Sequence, residues 1–226
     1  MATHLTTKAA SGTLLSGVLA GALIALGGTV NLSIENRVVG ACFFTIGLFF
    51  VVSMQLWLFT GKVCWLCRNG GAYVIQLLIT LAGNFVGSAG VALLLRQTRT
   101  AGGLFGRAAE LCALKLDDSL LSLFILAMFC GALLYFAVGG YQSLTDAAGR
   151  YGAVFLAVAV FVLSGFEHCI ANIYYYTVAG VWGDSRAWLS MAAVVLGNAV
   201  GSVLVAELHG LAKKLTAPPK QDEHRA

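Results

Sequence analysis

The sequence predicts an all-α membrane protein whose six transmembrane helices form two inverted three-helix repeats. The first observation is composition: of 226 residues, 59% are hydrophobic and 11% are charged, whereas soluble domains carry about 25% charged residues. The second is the spacing of the charges, which leaves six long apolar runs. The third is a polar motif that occurs once in each half of the chain.

The six runs are candidate membrane crossings, because a crossing needs about 20 predominantly apolar residues and charges inside it are costly. The runs cover residues 9–34, 38–61, 69–95, 119–145, 151–183 with Glu167 as its one charge, and 187–206. As an unbroken helix the fifth run would be about 50 Å long, whereas the hydrocarbon core is about 30 Å thick. We therefore expect part of the fifth run to break, tilt or protrude.

The first run has a second interpretation, a secretory signal peptide, because Lys8 precedes it and small residues such as Ala20 resemble a cleavage site. The length of this run and the five runs that follow it favour a membrane span.

Six spans place both termini on one side of the membrane. Cytoplasmic termini put more basic residues inside than outside, which the positive-inside preference favours. The expected location is a plasma or inner membrane, with a transmembrane domain over residues 1–212. Residues 213–226 contain both prolines and many charges and are expected to form a flexible cytoplasmic tail. Lipid is the expected surrounding, and no nucleic-acid partner is implied.

The repeated motif reads GNFVGS at residues 83–88 and GNAVGS at residues 197–202. It divides the chain into repeats of about 9–95 and 119–210. Because each repeat holds three spans, the second enters the membrane from the opposite side, an arrangement typical of transporters and channels. The glycines have a simpler explanation in close helix packing. The asparagines need hydrogen-bond partners, which exposed backbone near a broken helix would supply.

The second and fifth runs contain the segments in which a helix break is expected. The second run ends with Leu-Phe-Thr-Gly at residues 58–61, and the fifth contains Ser-Gly-Phe-Glu-His-Cys-Ile-Ala-Asn at residues 164–172. His168 is an ionisable group near the middle of a span, so it is either a functional residue or a donor that joins helices. On a helix Glu167 would lie about 100° away from it, so only one of the two would face a narrow lumen.

Catalytic and metal chemistry are not expected. Cys64 and Cys67 have C-x-x-C spacing, but the sequence has neither a second such pair nor a histidine near them, so a four-ligand zinc pattern is not present. His168 and Glu167 do not complete a nucleophile and base, and the chain lacks the phosphate-binding pattern G-x-x-x-x-G-K-[ST]. We therefore predict neither an enzyme nor a cofactor.

Taken together, residues 58–60, residues 164–172 and the two Gly-Asn-x-Val-Gly-Ser motifs resemble the formate/nitrite transporter family over nearly the whole chain. The resemblance implies a homopentamer of aquaporin-like protomers, each with its own pore for small monovalent anions such as formate, nitrite or hydrosulfide. It also implies broken second and fifth helices, with a threonine in the first break and a central histidine in the second.

By this resemblance His168 matches the central histidine, Thr60 the threonine and Asn172 the asparagine that follows the histidine. Lys115 matches a basic residue before the fourth helix and is expected to attract anions. Four apolar residues fall at constrictions above and below the histidine: Leu58, Leu48, Phe44 and Phe161. The alternative for these four is ordinary packing. Gly131 departs from the family, in which many members have asparagine at this position, so its effect on selectivity is open.

Transport through such a constriction presents a physical difficulty, because desolvating an anion costs far more than hydrogen bonds return. We therefore expect a weak-acid anion to take up a proton near His168 and to pass as a neutral acid. The alternative is an aquaporin-like channel for small neutral solutes, although the spans contain no proline and hence no Asn-Pro-Ala motif. The identity of the anion, and the choice between a channel and a proton-coupled carrier, stay open.

Overall fold

The computed structural model describes residues 6–217. Ten α-helices make up most of this range: α1 (Thr7–Ser33), α2 (Arg37–Phe44), α3 (Ile46–Ser53), α4 (Phe59–Lys62), α5 (Gly71–Leu95), α6 (Ala101–Asp117), α7 (Leu120–Ser143), α8 (Ala147–Leu163), α9 (Cys169–Ala179) and α10 (Ser185–Thr216). Two short 3-10 helices follow α4 and α9, at Val63–Arg68 and Val181–Gly183. The described chain is therefore all-helical, as the sequence predicts.

Four helices, α1, α5, α7 and α10, are long and apolar enough to cross a membrane. The second and fifth predicted runs are instead divided among shorter helices, α2 to α4 in the second and α8 and α9 in the fifth. At its C-terminal end α10 continues past the predicted domain boundary at residue 212 as far as Thr216. The rest of the predicted tail, from residue 218, lies outside the described residues.

The long helices pack in two pairs, α1 against α5 and α7 against α10. The second glycine of each repeated motif makes this possible. A Cβ atom added at Gly87 would overlap the carbonyl of Val18, and one added at Gly201 would overlap the carbonyl of Met128. The expectation that these glycines serve close helix packing is therefore confirmed.

Gly131 has the same role on α7, at the contact between α7 and α10. A Cβ atom there would overlap the backbone carbonyl of Asn198, just as one at Gly21 would overlap the carbonyl of Asn84. The departure from the family pattern therefore lies at a helix contact with no room for an asparagine side chain in this packing.

Five arginines donate hydrogen bonds to carbonyls in the last turns of helices. The pairs are Arg37 with Leu163, Arg96 with Thr177, Arg107 with Leu32, Arg150 with Tyr141, and Arg186 with Leu116. The last carbonyls of a helix have no partner within it, and the helix dipole favours a cation there. Much of the positive charge thus stabilises helix ends.

We expect Gly87→Ala to destabilise the protein by about 1–3 kcal/mol, because the added methyl group must push α5 away from α1. Gly90→Ala is the matched control, since no atom lies within 4 Å of a Cβ at that position of the same helix. Thermal unfolding in detergent measures both. Equal melting temperatures for the two variants would contradict the close-contact explanation.

Candidate functional site

Two irregular segments interrupt the helical course of the chain. Residues 54–58 separate α3 from α4, and residues 164–168 separate α8 from α9. Each contains one residue with a left-handed backbone, Gln55 with φ of 54° and Gly165 with φ of 70°. The two segments therefore share a left-handed residue three positions before Leu58 and three positions before His168.

Asn84 satisfies the backbone of the first segment. Its amide nitrogen donates to the carbonyls of Gly17 at 2.8 Å and Trp57 at 2.9 Å, and its oxygen accepts from the N–H of Phe59 at 2.8 Å. One buried side chain thus binds the backbone on both sides of Leu58 and ties it to α1.

Asn198 makes the same three bonds in the second repeat. Its nitrogen donates to the carbonyls of Ala127 at 2.8 Å and Glu167 at 2.7 Å, and its oxygen accepts from the N–H of Cys169 at 2.9 Å. These contacts hold the backbone on both sides of His168. The prediction that both asparagines find partners on exposed backbone is confirmed.

His168 is the residue that precedes α9, and Leu58 is its counterpart before α4. The Nδ1 atom of His168 accepts from the N–H of Ala171 at 3.1 Å, and its Nε2 atom lies 3.0 Å from the hydroxyl oxygen of Thr60. Because Nδ1 is an acceptor, the network assigns a neutral ring that donates from Nε2 to Thr60. Within residues 6–217 the Thr60 hydroxyl hydrogen then has no acceptor and is available to a ligand.

Two of the predicted constriction residues, Phe161 and Phe44, stack in sequence next to this histidine. The ring of Phe161 stacks on the imidazole with centroids 5.6 Å apart, and Phe44 contacts Phe161 edge-on at 5.8 Å. Leu48 and Leu58 are also buried. The buried imidazole therefore has Phe161 against its face and Thr60 as its polar side-chain neighbour.

Glu167 and His168 point to different partners because the backbone between them is extended, not helical. The Lys115 ammonium lies 2.6 Å and 2.7 Å from the two Glu167 carboxylate oxygens, and the Asn172 amide donates to the same carboxylate at 2.6 Å. The side chains of Lys115 and Glu167 are only 10% and 5% exposed. The structure therefore contains a buried ion pair beside the histidine.

The ion pair contains one residue that was expected to attract anions, Lys115, and brings Glu167 to its ammonium. Asn172 directs its amide to Glu167 and not to His168. Sequence reasoning named Glu167 without giving it a partner, although a carboxylate in an apolar run requires one.

A cavity of about 540 Å³ is lined by Leu58, and we call it the Leu58 vestibule. Its lining includes two of the predicted constriction residues, Leu48 and Leu58. It also carries two cations that the sequence analysis did not single out, Lys62 and Arg150, and none of its lining residues is acidic.

Membrane-length helices around a buried histidine, two equivalent helix interruptions and an adjoining cavity define a membrane transport protein. The model of the family described as formate/nitrite transporter matches residues 1–210, and the chain belongs to this family. The predicted family is thus confirmed, and its members are channels and transporters, not enzymes.

Among its relatives, the formate channel BtFdhC of Bacillus thuringiensis is 26% identical, with 83% of this chain and 81% of that protein covered. The formate channel FocA of Haemophilus influenzae is 27% identical over 71% of this chain, which spans 63% of FocA, less than two thirds of its length. A solved pentameric formate channel with formate bound is similar in fold, with a TM-score of 0.78 and 24% identity over 93% of this chain and 100% of that one.

We expect Lys115→Met to lower the melting temperature strongly, by the equivalent of about 3–5 kcal/mol, because it leaves a buried carboxylate without its partner. Lys115→Met combined with Glu167→Gln should recover most of the loss, since no charge then stays buried. Thermal unfolding in detergent compares the two. A double variant no more stable than Lys115→Met would show that the pair is not coupled.

Proposed function

We propose that this chain forms a membrane pore for small monovalent weak-acid anions, namely formate, nitrite or hydrosulfide. The observation that carries the proposal is His168, a buried and neutral donor that binds Thr60 between apolar side chains. Membership of the family and the likeness to proteins named formate channels support the class of substrate.

The proposed topology has six crossings. Four of them are the long helices α1, α5, α7 and α10. In this proposal α2 to α4 together form one further crossing, and α8 and α9 together form the other. The equivalent hydrogen bonds of Asn84 and Asn198 support an inverted relation between the repeats. Both termini are assigned to the cytoplasm of a plasma or inner membrane, and residues 1–212 form the pore domain.

The proposed mechanism begins with loss of water from the anion at the constriction. Desolvation favours the neutral acid over its anion, so the substrate takes a proton from hydronium in the surrounding solution before it enters the apolar neck. A neutral imidazole is a hydrogen-bond donor but a poor acid, so His168 does not supply this proton itself. Through Thr60 it instead offers a donor to the substrate inside the neck, where water is absent.

Lys115 and Asn172 act in this proposal through Glu167. They fix its side chain while Asn198 binds its backbone carbonyl, so the segment that carries His168 is held from two directions. The pair also presents a dipole, and not a net charge, to an approaching anion.

The proposed assembly is a homopentamer with one pore in each protomer and no cofactor. The similar solved structure is a pentameric channel, and many large apolar side chains are exposed on the single chain, where lipid or neighbouring protomers would cover them.

We expect His168→Phe to lower formate uptake into proteoliposomes by about tenfold or more, since it removes a buried donor while retaining a ring against Phe161. Thr60→Val should share the defect. Thr80→Val is the matched control, because that buried hydroxyl bonds only within its own helix, to Gln76. Uptake and pH dependence unchanged in His168→Phe would contradict the mechanism and leave the fold intact.

The competing function, a channel for small neutral solutes, is separated from the proposal by stopped-flow measurements on the same proteoliposomes. We expect formate, nitrite and hydrosulfide fluxes that increase as the external pH falls, because acid supplies the proton. Rapid water or glycerol flux without flux of any of the three anions would favour the aquaporin-like alternative.

A further inference from the structure

The serine that ends each repeated motif makes a buried hydrogen bond, but the two bonds differ in their acceptor. Ser202, in the second motif, donates to the carbonyl of Gly131 on α7 at 2.9 Å. Ser88, in the first motif, donates to the carbonyl of Ile170 on α9, also at 2.9 Å. Both serines are fully buried. The first motif therefore bonds across to the second repeat, whereas the bonds of Asn198 and Ser202 stay within the second repeat.

Helix α5 is consequently bonded to both of the short helices that begin inside the bundle. The amide oxygen of Asn84 accepts from the N–H of Phe59 at the start of α4. Ser88, one turn further along the same face of α5, binds the first turn of α9. The body of α5 also packs against both short helices. Because Thr60 lies on α4 and His168 directly precedes α9, the relative position of these two helices decides whether the two side chains meet.

The acceptor of the Ser88 bond is close to the imidazole along the chain, since Ile170 is two residues after His168. Within the described residues, Ser88 makes the one side-chain hydrogen bond from the first repeat to the backbone of the first turn of α9. Other bonds from the first repeat reach α9 further along. The carbonyl of Thr177, which accepts from Arg96, is about 10 Å from that of Ile170 at the rise of an α-helix. Ser88 is therefore the polar connection between the first repeat and the start of α9.

We propose that Ser88 is a positioning residue that sets the distance between His168 and Thr60. The inference rests on the proposed function, in which the Thr60 hydroxyl, held by His168, donates to the substrate. The Nε2 atom of His168 lies 3.0 Å from the Thr60 hydroxyl oxygen. Because a hydrogen bond weakens steeply as its distance and angle depart from the ideal, a small shift of α9 relative to α4 loses this contact. Ser88 opposes such a shift, since inside an apolar bundle its hydroxyl has no water to bind instead.

Solid-state NMR of the histidine ring tests the positioning directly. With nitrogen-15 histidine in the full chain in proteoliposomes, the Nε2–H resonance of His168 is identified by its absence from His168→Phe. In Ser88→Ala the proton of this group should move upfield, as for a weaker hydrogen bond. Ser202→Ala is the matched control, because it removes a hydroxyl of equal burial and bond length from the other motif, and it should leave the resonance in place. An unchanged resonance in Ser88→Ala, or an equal shift in both serine variants, would overturn the proposal.

Formate uptake into the same proteoliposomes gives a second measurement. Ser88→Ala should lower the maximum rate by about threefold to tenfold, as for loss of one neutral hydrogen bond, and Ser202→Ala by less than about twofold. In a Thr60→Val chain, Ser88→Ala should lower the rate no further, because a residue that acts through the His168 and Thr60 pair then has nothing left to position. Equal losses in the two backgrounds would show a general structural role and contradict the proposal.

The outcomes separate this inference from the proposed function. An Nε2–H resonance that moves in Ser88→Ala and stays in Ser202→Ala supports the positioning role even in a chain that transports no anion, and the proposed function alone then fails. Formate uptake that depends on His168, with a resonance that does not move in Ser88→Ala, overturns the positioning role and leaves the proposed function standing.

Discussion

The structure depends on satisfying the backbone groups that two helix interruptions expose inside an apolar bundle. In a membrane each unpaired N–H or carbonyl costs several kcal/mol, because water is not there to bind it. Asn84 and Asn198 each supply two donors and one acceptor to the interruption and to a neighbouring helix. The backbone on both sides of Leu58 and of His168 is consequently held in place, and with it the position of the His168 ring.

The two repeats share this backbone arrangement but not its side chains. Where the first interruption has Trp57 and Leu58, the second has Glu167 and His168. Of the polar side chains around His168, Thr60 belongs to the first repeat, Glu167 and Asn172 belong to the second, and Lys115 belongs to α6. Equivalent backbone positions therefore carry an apolar residue, Leu58, in one repeat and a polar residue, His168, in the other.

The sequence was informative where a polar residue interrupts an apolar run, because such a residue must find a partner. That reasoning predicted the role of both asparagines, whereas the importance of Thr60 for His168 came from the family resemblance alone. It could not predict the pair of Lys115 with Glu167, because 52 positions separate these residues and a single sequence does not record which helices touch.

In the proposed mechanism, the distribution of charge around His168 favours the neutral form of the substrate. A free cation beside His168 would stabilise the substrate as an anion and so oppose the protonation that the apolar neck requires. The structure instead places a compensated pair there and uses several arginines to cap helix ends. In the proposed mechanism, the site beside His168 therefore carries no net charge at the place where the substrate must become neutral.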